Sequence, residues 1–310
     1  MPRIKSNISV RRLKKTDTIK SNKLVMDTIN QLRKEHNLYP YPFPEKRRRN
    51  KLMIHLIDTD PAGSYGAFVG NKMIGYSSAM VRDGQWYLAF LFVDPKYQGR
   101  GIGKRLLKRS LIITKDEEIH THSLATFAYN APAVALYTAF GFHPIESLPM
   151  MVWRARKGKQ VRRIRNDYHF RIINIDNYEQ IEVLNRLDKK NRGIYRPEEH
   201  KFWIDLDTAK GYLFYDGRKL AGYSQIIRDE IIAPVNVTRP EYLVPVLSEM
   251  INLHRKPDEG GIVLWVPGRR GDVMEFLMKH DFKVEELEIL MSDRMFFNLD
   301  CYLPANLAFF

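Results

Sequence analysis

Cysteine is almost missing from this chain: 310 residues hold one, Cys301. One cysteine closes no disulfide framework and builds no cysteine zinc site, and it leaves the first half of the chain without a thiol nucleophile. A reducing, cytoplasmic compartment fits that usage. Long apolar runs are missing too, since none comes near the ~20 residues a membrane helix requires. The basic start Met1-Pro2-Arg3-Ile4-Lys5 leads into no apolar signal segment, so export and membrane insertion are not expected. Acidic residues are scarce in one half only. Residues 1–160 carry 28 Lys and Arg against 12 Asp and Glu, whereas residues 161–310 carry 22 against 24. The net charge of +14 therefore belongs to the first half. Such a field suits a polyanionic cofactor, an acidic substrate or nucleic acid. Runs such as Lys46-Arg47-Arg48-Arg49 also serve as solvated faces and nothing more. At 44% hydrophobic residues the chain has enough apolar surface for one large or two medium domains. Oligomeric state is open.

Against these absences stands the stretch Val93 to Leu107, VDPKYQGRGIGKRLL. The apolar run Trp86 to Val93 ends at Asp94-Pro95, where proline offers no N–H to a sheet ladder. Gln98-Gly99-Arg100-Gly101-Ile102-Gly103 follows, and Ile102, Leu106, Leu107 and Leu111 recur at helical spacing. A strand feeding a glycine loop that opens a helix aims unpaired N–H groups and a positive dipole end at one spot, which suits a phosphate. No Gly-Lys-Ser/Thr ends the loop, so it is not a P-loop, and no further Gly-x-x-Gly spacing after Gly103 makes it a dinucleotide fingerprint.

In chain order, residues 8–13 alternate as a strand. Asp17 caps a helix carrying Ile19, Leu24, Ile29 and Leu32 that ends by Pro40. Residues 37–44 alternate aromatics with prolines and form a loop that either packs on the core or grips a substrate. Leu52 to Ile57 reads as sheet. A hairpin over Tyr65 to Val69 and Met73 to Val81 turns at Gly70-Asn71. Thr121 to Phe127 reads as a strand, and a helix over about Ala131 to Phe140 closes at Gly141.

Two motifs in that order carry a resemblance: the loop Gln98 to Gly103 after Val-Asp-Pro, and Leu124-Ala-Thr-Phe-Ala-Tyr-Asn130-Ala-Pro-Ala133-Val-Ala-Leu136-Tyr137-Thr-Ala-Phe-Gly141-Phe142. With them, residues 8 to about 153 resemble an acyl-CoA-dependent N-acetyltransferase domain of the GNAT superfamily. The resemblance implies acetyl-CoA as cofactor and an amine as acceptor, with the pyrophosphate on the amides of Gln98, Gly99, Arg100, Gly101, Ile102 and Gly103 and with Lys104 and Arg105 adding charge. It implies the pantetheine arm along Leu91, Phe92 and Val93, with Asn130 and Ala133 also on the cofactor side. It gives Tyr137 the role of protonating the departing thiolate, and it asks for no metal. Transfer is expected to be direct, since no cysteine is at hand to carry the acyl group.

One part of the family pattern is missing. A glutamate often lies ten residues ahead of the loop, and here that position is Leu88. The acetyltransferases of ribosomal-protein N-termini place a glutamate five residues before the asparagine, and here that is Ala125. Ser123, His120, His122 and Asp83 are the substitutes the sequence offers for taking the proton from the acceptor amine. His120-x-His122 also has the spacing of metal ligands, without a third ligand beside it.

The second half reads as a divergent repeat. Gly70, Lys72, Gly75, Tyr76 and Ser77 recur 147 residues on as Gly217, Lys219, Gly222, Tyr223 and Ser224, and Arg12 and Asp17 recur as Arg171 and Asp176. In place of a glycine loop it has Val237-Thr238-Arg239-Pro240-Glu241-Tyr242. Aligning Phe142 with Phe282 puts Arg270 at the place of Asn130 and Leu277 at that of Tyr137. The expected architecture is α/β, with two tandem GNAT-like domains, each a twisted mixed β-sheet flanked by helices: a catalytic domain over 1–156, a basic linker over 157–166 and a degenerate domain over 167–310. The C-terminal Leu303 to Phe310 is expected to dock on the core. The expected activity is acetyl transfer from acetyl-CoA to a primary amine. The alternative is a noncatalytic acyl-CoA sensor or a nucleic-acid-associated module.

Overall fold

The computed structural model describes residues 8–41, 50–116, 118–154, 167–174, 176–206, 209–227, 231–254, 261–295, 298–304 and 308. The basic run Lys46 to Arg49, the expected linker 157–166 and most of the C-terminal tail lie outside these residues. Contacts divide the chain into two compact units, 1–123 and 124–310.

The first unit begins with β1 (Ile8–Arg12), followed by α1 (Thr18–Glu35) and α2 (Lys51–Thr59). The second helix replaces the strand expected over Leu52 to Ile57. A short apolar run does not distinguish the two states, but Met53, Leu56 and Ile57 are the buried residues, at the spacing of one helix face. Asn50 settles the matter by capping, its side chain accepting from the N–H groups of Leu52 at 3.0 Å and Met53 at 3.3 Å. Next come β2 (Tyr65–Val69), β3 (Lys72–Arg82), β4 (Gln85–Val93) and α3 (Ile102–Ser110). The strands form an antiparallel series β1-β2-β3-β4. Leu24, Val25, Met53 and Ile57 pack with Phe68, Met73 and Tyr76, placing α1 and α2 on one face. Ile102 and Leu106 pack with Tyr65, Ala67 and Ile74, placing α3 on the other. Gly75 permits that second contact, since a Cβ there would come within 2.8 Å of Leu106 Cδ1 and 3.1 Å of Ile102 Cγ2. β5 (Thr121–Phe127) runs across the division of the units.

The second unit continues with α4 (Ala131–Thr138), β6 (His143–Arg154), β7 (His169–Ile172), α5 (Tyr178–Arg192) and α6 (Pro197–Ile204). Then come β8 (Lys210–Asp216), β9 (Lys219–Ile227), β10 (Ile231–Val237), α7 (Leu243–Leu253), β11 (Gly261–Trp265), α8 (Gly271–Lys279), β12 (Lys283–Ser292) and β13 (Tyr302–Leu303). From β7 to β12 the order of elements repeats that from β1 to β6, helix for helix and strand for strand. The hairpin glycines repeat as well, Gly70 at φ +55° and Gly217 at φ +57°.

Strand neighbours in this unit run β5-β12-β6-β11-β10-β9-β8-β7. The last strands of the two repeats have thus crossed over. β12 lies between β5 and β6, and β6 lies between β12 and β11. β6 and β12 are antiparallel with Leu148 opposite Glu288. The alignment of Phe142 with Phe282 matches these same two residues, so the pair maps onto itself under the repeat.

A buried polar knot holds the α5–α6 side of the unit. Asp188 accepts from Arg196 Nε, from Tyr223 OH at 2.6 Å and from Asn236 Nδ2 at 2.7 Å, and His200 Nε2 stands 3.1 Å away. Burial opposes charge on Asp188, and Arg196 and His200 overcome it, holding the carboxyl well below its ordinary range.

Candidate active site

The first unit supplies a strand whose character changes along its length. Gln85 to Leu88 are buried and Ala89 to Val93 are half-buried. The change falls on an irregularity: Ser78 faces Phe90 and Ala79 faces Leu88, so Ala89 is one extra residue, a bulge. Bulges re-aim the backbone and recur beside active sites. Leu91, Phe92 and Val93 therefore form a half-open strand end.

Beyond it the chain turns through Asp94, whose carboxylate accepts from Lys96 N–H at 3.0 Å and pairs with Lys72 at 2.8 Å. The loop is braced from within, since Gln98 Nε2 donates to the Val93 carbonyl at 3.0 Å. Arg100 donates to the Lys96 carbonyl at 3.2 Å, and its guanidinium lies 5.3 Å from the Tyr97 ring centre. Gly99 and Gly101 hold φ of +71° and +75°, in the left-handed region that favours glycine, and a Cβ on either would meet nothing within 4 Å. Gly101 is the N-cap of α3. The first-turn N–H groups have no carbonyl within the helix and open onto that free space. Ile102 is anchored in the core, and Gly103 is half-buried. Lys104 and Arg105 are exposed, and Arg105 donates to the Ile8 carbonyl at 3.2 Å. A site with bare donors, a helix dipole and nearby cations fits a pyrophosphate.

In the second unit Asn130 caps α4, its side chain accepting from the Ala133 N–H at 3.3 Å, which leaves its amide NH2 for another partner. Ala133 lies half-buried on that first turn. Tyr137 is buried, its ring edge-on to Phe142 at 6.4 Å between centres. Burial pushes its hydroxyl above the ordinary phenol value, so it holds its proton throughout the neutral range.

The candidate proton acceptors are scattered. Leu88 is buried, as an apolar residue should be. Ser123 is buried and accepts from Gln85 Nε2 at 3.0 Å. His122 lies against Trp86, with ring centres 5.6 Å apart. His120 is exposed beside Gly84, and Asp83 is exposed in a turn at φ +49°. The sequence reading passed over one feature, the Ala89 bulge, which no residue pattern marks.

The second repeat is built otherwise at the matching places. Val237 leads into a 3-10 turn, Pro240–Tyr242, with no left-handed glycine. Arg270 takes the N-cap position of α8 without a side-chain cap bond, where Asn130 caps α4. Its guanidinium grips Asp272 at 2.6 and 2.8 Å and also reaches the carbonyls of Pro240, at 3.2 Å, and Asp300. Among the described residues β10 pairs β11 at Ile231 with Val263, and farther along takes β13 as partner, Val235 with Leu303 and Asn236 with Tyr302. At those residues β9 already fills the opposite edge of β10. β13 therefore occupies the edge that turns toward β11.

The repeated strand–helix order and the bulged strand running into a glycine-opened helix define a class, the N-acetyltransferase fold. Residues 27–142 match the acetyltransferase (GNAT) family model, and that part of the chain is a domain of this family. Over 91 residues the chain is 35% identical to the spermine/spermidine N(1)-acetyltransferase of Bacillus subtilis, covering 26% of this chain and 58% of that protein. Across the curated relatives the matched stretches span 27% to 58% of their lengths. Among solved structures, a candidate acetyltransferase from Pyrococcus horikoshii superposes with TM-score 0.76 at 16% identity over 100% of this chain and 98% of that one. A tandem GNAT protein from the clavulanic acid biosynthesis pathway gives 0.59 at 12% identity over 92% and 98%. At such identities the likeness is one of fold, and it covers both repeats.

Proposed function

We propose that this chain transfers an acetyl group from acetyl-CoA directly to a primary amine, through its first repeat. The observation that carries the reading is the loop Gln98 to Gly103, with left-handed glycines and open first-turn amides at the head of α3. Those amides, with Lys104 and Arg105, would hold the pyrophosphate. Leu91, Phe92 and Val93 would receive the pantetheine arm as an added strand, and Asn130 and Ala133 would border it. Acetyl-CoA supplies the activated acyl carbon. The chain supplies position, an N–H at the β4 bulge for charge developing on the acyl oxygen, and the proton of Tyr137 for the leaving sulfur. A buried hydroxyl that stays protonated suits that last role.

The second repeat is read as binding no acetyl-CoA, because Arg270 spans from α8 to Pro240 and β13 fills the free edge of β10. Calorimetry should then find one equivalent of acetyl-CoA per chain. The test of activity is thiol release from acetyl-CoA across a panel of small amines, polyamines and peptides. Tyr137→Phe should lower kcat by about 10²–10⁴, the typical worth of a general acid, without weakening acetyl-CoA binding. Turnover unchanged in Tyr137→Phe would remove Tyr137 from the mechanism. Tight cofactor binding with no turnover on any amine would make the chain a sensor.

A further inference from the structure

In the proposed transfer the acyl oxygen accepts from an N–H of β4, and a hydrogen donated to a carbonyl oxygen lies near the plane of that carbonyl group. With the pantetheine arm running as an added strand, this plane is the plane of the sheet. The amine lone pair must add across it, so the nitrogen reaches the acyl carbon from one face of β4 or the other. The two faces differ. On one, Leu91 and Val93 pack with Ile102 and Leu106 of α3, the helix that carries the proposed pyrophosphate site at its head. On the other, Phe90 and Phe92 border the cluster that Phe68 and Tyr76 form with Leu24 and Val25 of α1 and with Met53 and Ile57 of α2, and both rings stay half-buried.

Phe90 follows the Ala89 bulge directly, so this face adjoins the place where the acyl carbon would be held. The Phe90 ring centre lies 5.3 Å from that of Tyr76 and 6.3 Å from that of Phe92. The three rings make a continuous aromatic wall, with Ile29 of α1 at its border. The elements of this face, α1, α2, β3 and β4, contain three carboxylates, Asp27, Glu35 and Asp58. All three are exposed and engaged, Asp27 with Lys23, Asp58 with Lys15, and Glu35 as acceptor from Gln31. The wall therefore offers apolar surface and no counter-charge for a cation.

We propose that the acceptor is a small primary amine carried on an apolar body, an alkyl or arylalkyl chain, which lies against Phe90 and Phe92 while its nitrogen reaches the acyl carbon at the bulge. This rests on the acetyl-transfer reading. A chain covering two half-buried rings removes apolar surface of both partners from water, and that gain is open only to an acceptor with an apolar body. A polyamine laid on the same wall would strip water from its further ammonium groups without a carboxylate to receive them. The attraction of ring faces for a cation is too weak to replace one.

The experiment uses the full chain and measures thiol release from acetyl-CoA with ethylamine, hexylamine, 2-phenylethylamine and spermidine. Ethylamine and hexylamine share their basicity and differ only in apolar length. The kcat/KM of wild type should be roughly 10–100-fold higher for hexylamine than for ethylamine, a gain made in KM, with 2-phenylethylamine alongside hexylamine and spermidine near ethylamine. Phe90→Ala should shrink the hexylamine-to-ethylamine ratio by about tenfold, and Phe90→Leu, which keeps an apolar side chain there, should retain most of it. A wild-type ratio near one, or spermidine preferred to hexylamine, overturns the inference and leaves the acetyl-transfer reading standing; neither result needs a variant that folds. A ratio unchanged in Phe90→Ala overturns the assignment to this face. Wild type inert on every amine removes both readings.

Discussion

Replacing Glu288 by glutamine should make the protein more stable in alkali and leave it unchanged in acid. Burial carries this carboxyl from its ordinary 4.5 to about 8 in the folded state. Below the lower value both folded and unfolded chains hold the proton, and stability does not depend on it. Between the two values the folded chain keeps a proton that the unfolded chain has released, so stability falls as pH rises. At about 1.4 kcal/mol per pH unit the loss reaches roughly 4–5 kcal/mol by the upper value and then levels off. Glutamine has the same shape and no titration, so the difference between variant and wild type cancels every other ionisable group. Equilibrium urea unfolding of both proteins from about pH 4 to about pH 9 reads that difference directly. It should start near zero and grow through the neutral range to several kcal/mol in favour of the variant. Parallel curves across the whole range would show that Glu288 titrates as an ordinary surface carboxylate and would refute the reasoning.

Gly101→Val places a β-branched residue at φ +75° with open space around its Cβ. It should cost about 1–2 kcal/mol of strain, seen as a modestly lowered Tm, while acetyl-CoA affinity in calorimetry drops much further. Equal losses in both would mean that the glycine serves only the turn. Asn130→Ala removes the cap on the Ala133 N–H and should cost about 1 kcal/mol in urea unfolding, with Asn130→Ser restoring most of it. Arg196→Met strands the buried Asp188 carboxylate and should cost about 3–5 kcal/mol, a loss that Asp188→Asn in the same chain should partly reverse.

The parts of the fold that were legible in the sequence are those fixed by local chemistry. The hairpin at Gly70-Asn71, the strand Thr121 to Phe127 and the glycine-opened helix after Val93 each carry a turn or cap residue that one segment displays by itself. Leu52 to Ile57 was misread because apolar spacing over so short a run fits both periods, and the deciding Asn50 lay just outside the run. The proposed site rests on two contiguous stretches, Gln98 to Gly103 and Asn130 to Tyr137, whose motifs a single segment displays. The neighbour of β5 was not legible, because strand exchange between the repeats leaves no local mark. The sequence places β6 there by proximity. The structure places β12 there instead, more than 150 residues from β5 along the chain.

The crossing of β6 and β12 also constrains how the protein can be made. As the chain leaves the ribosome, β5 emerges long before the strand that will lie against it. Its edge must stay unpaired, or be held by β6 in a provisional register, until Lys283 to Ser292 have been synthesised. A stop codon anywhere before Lys283 would leave β5 without the strand that lies beside it.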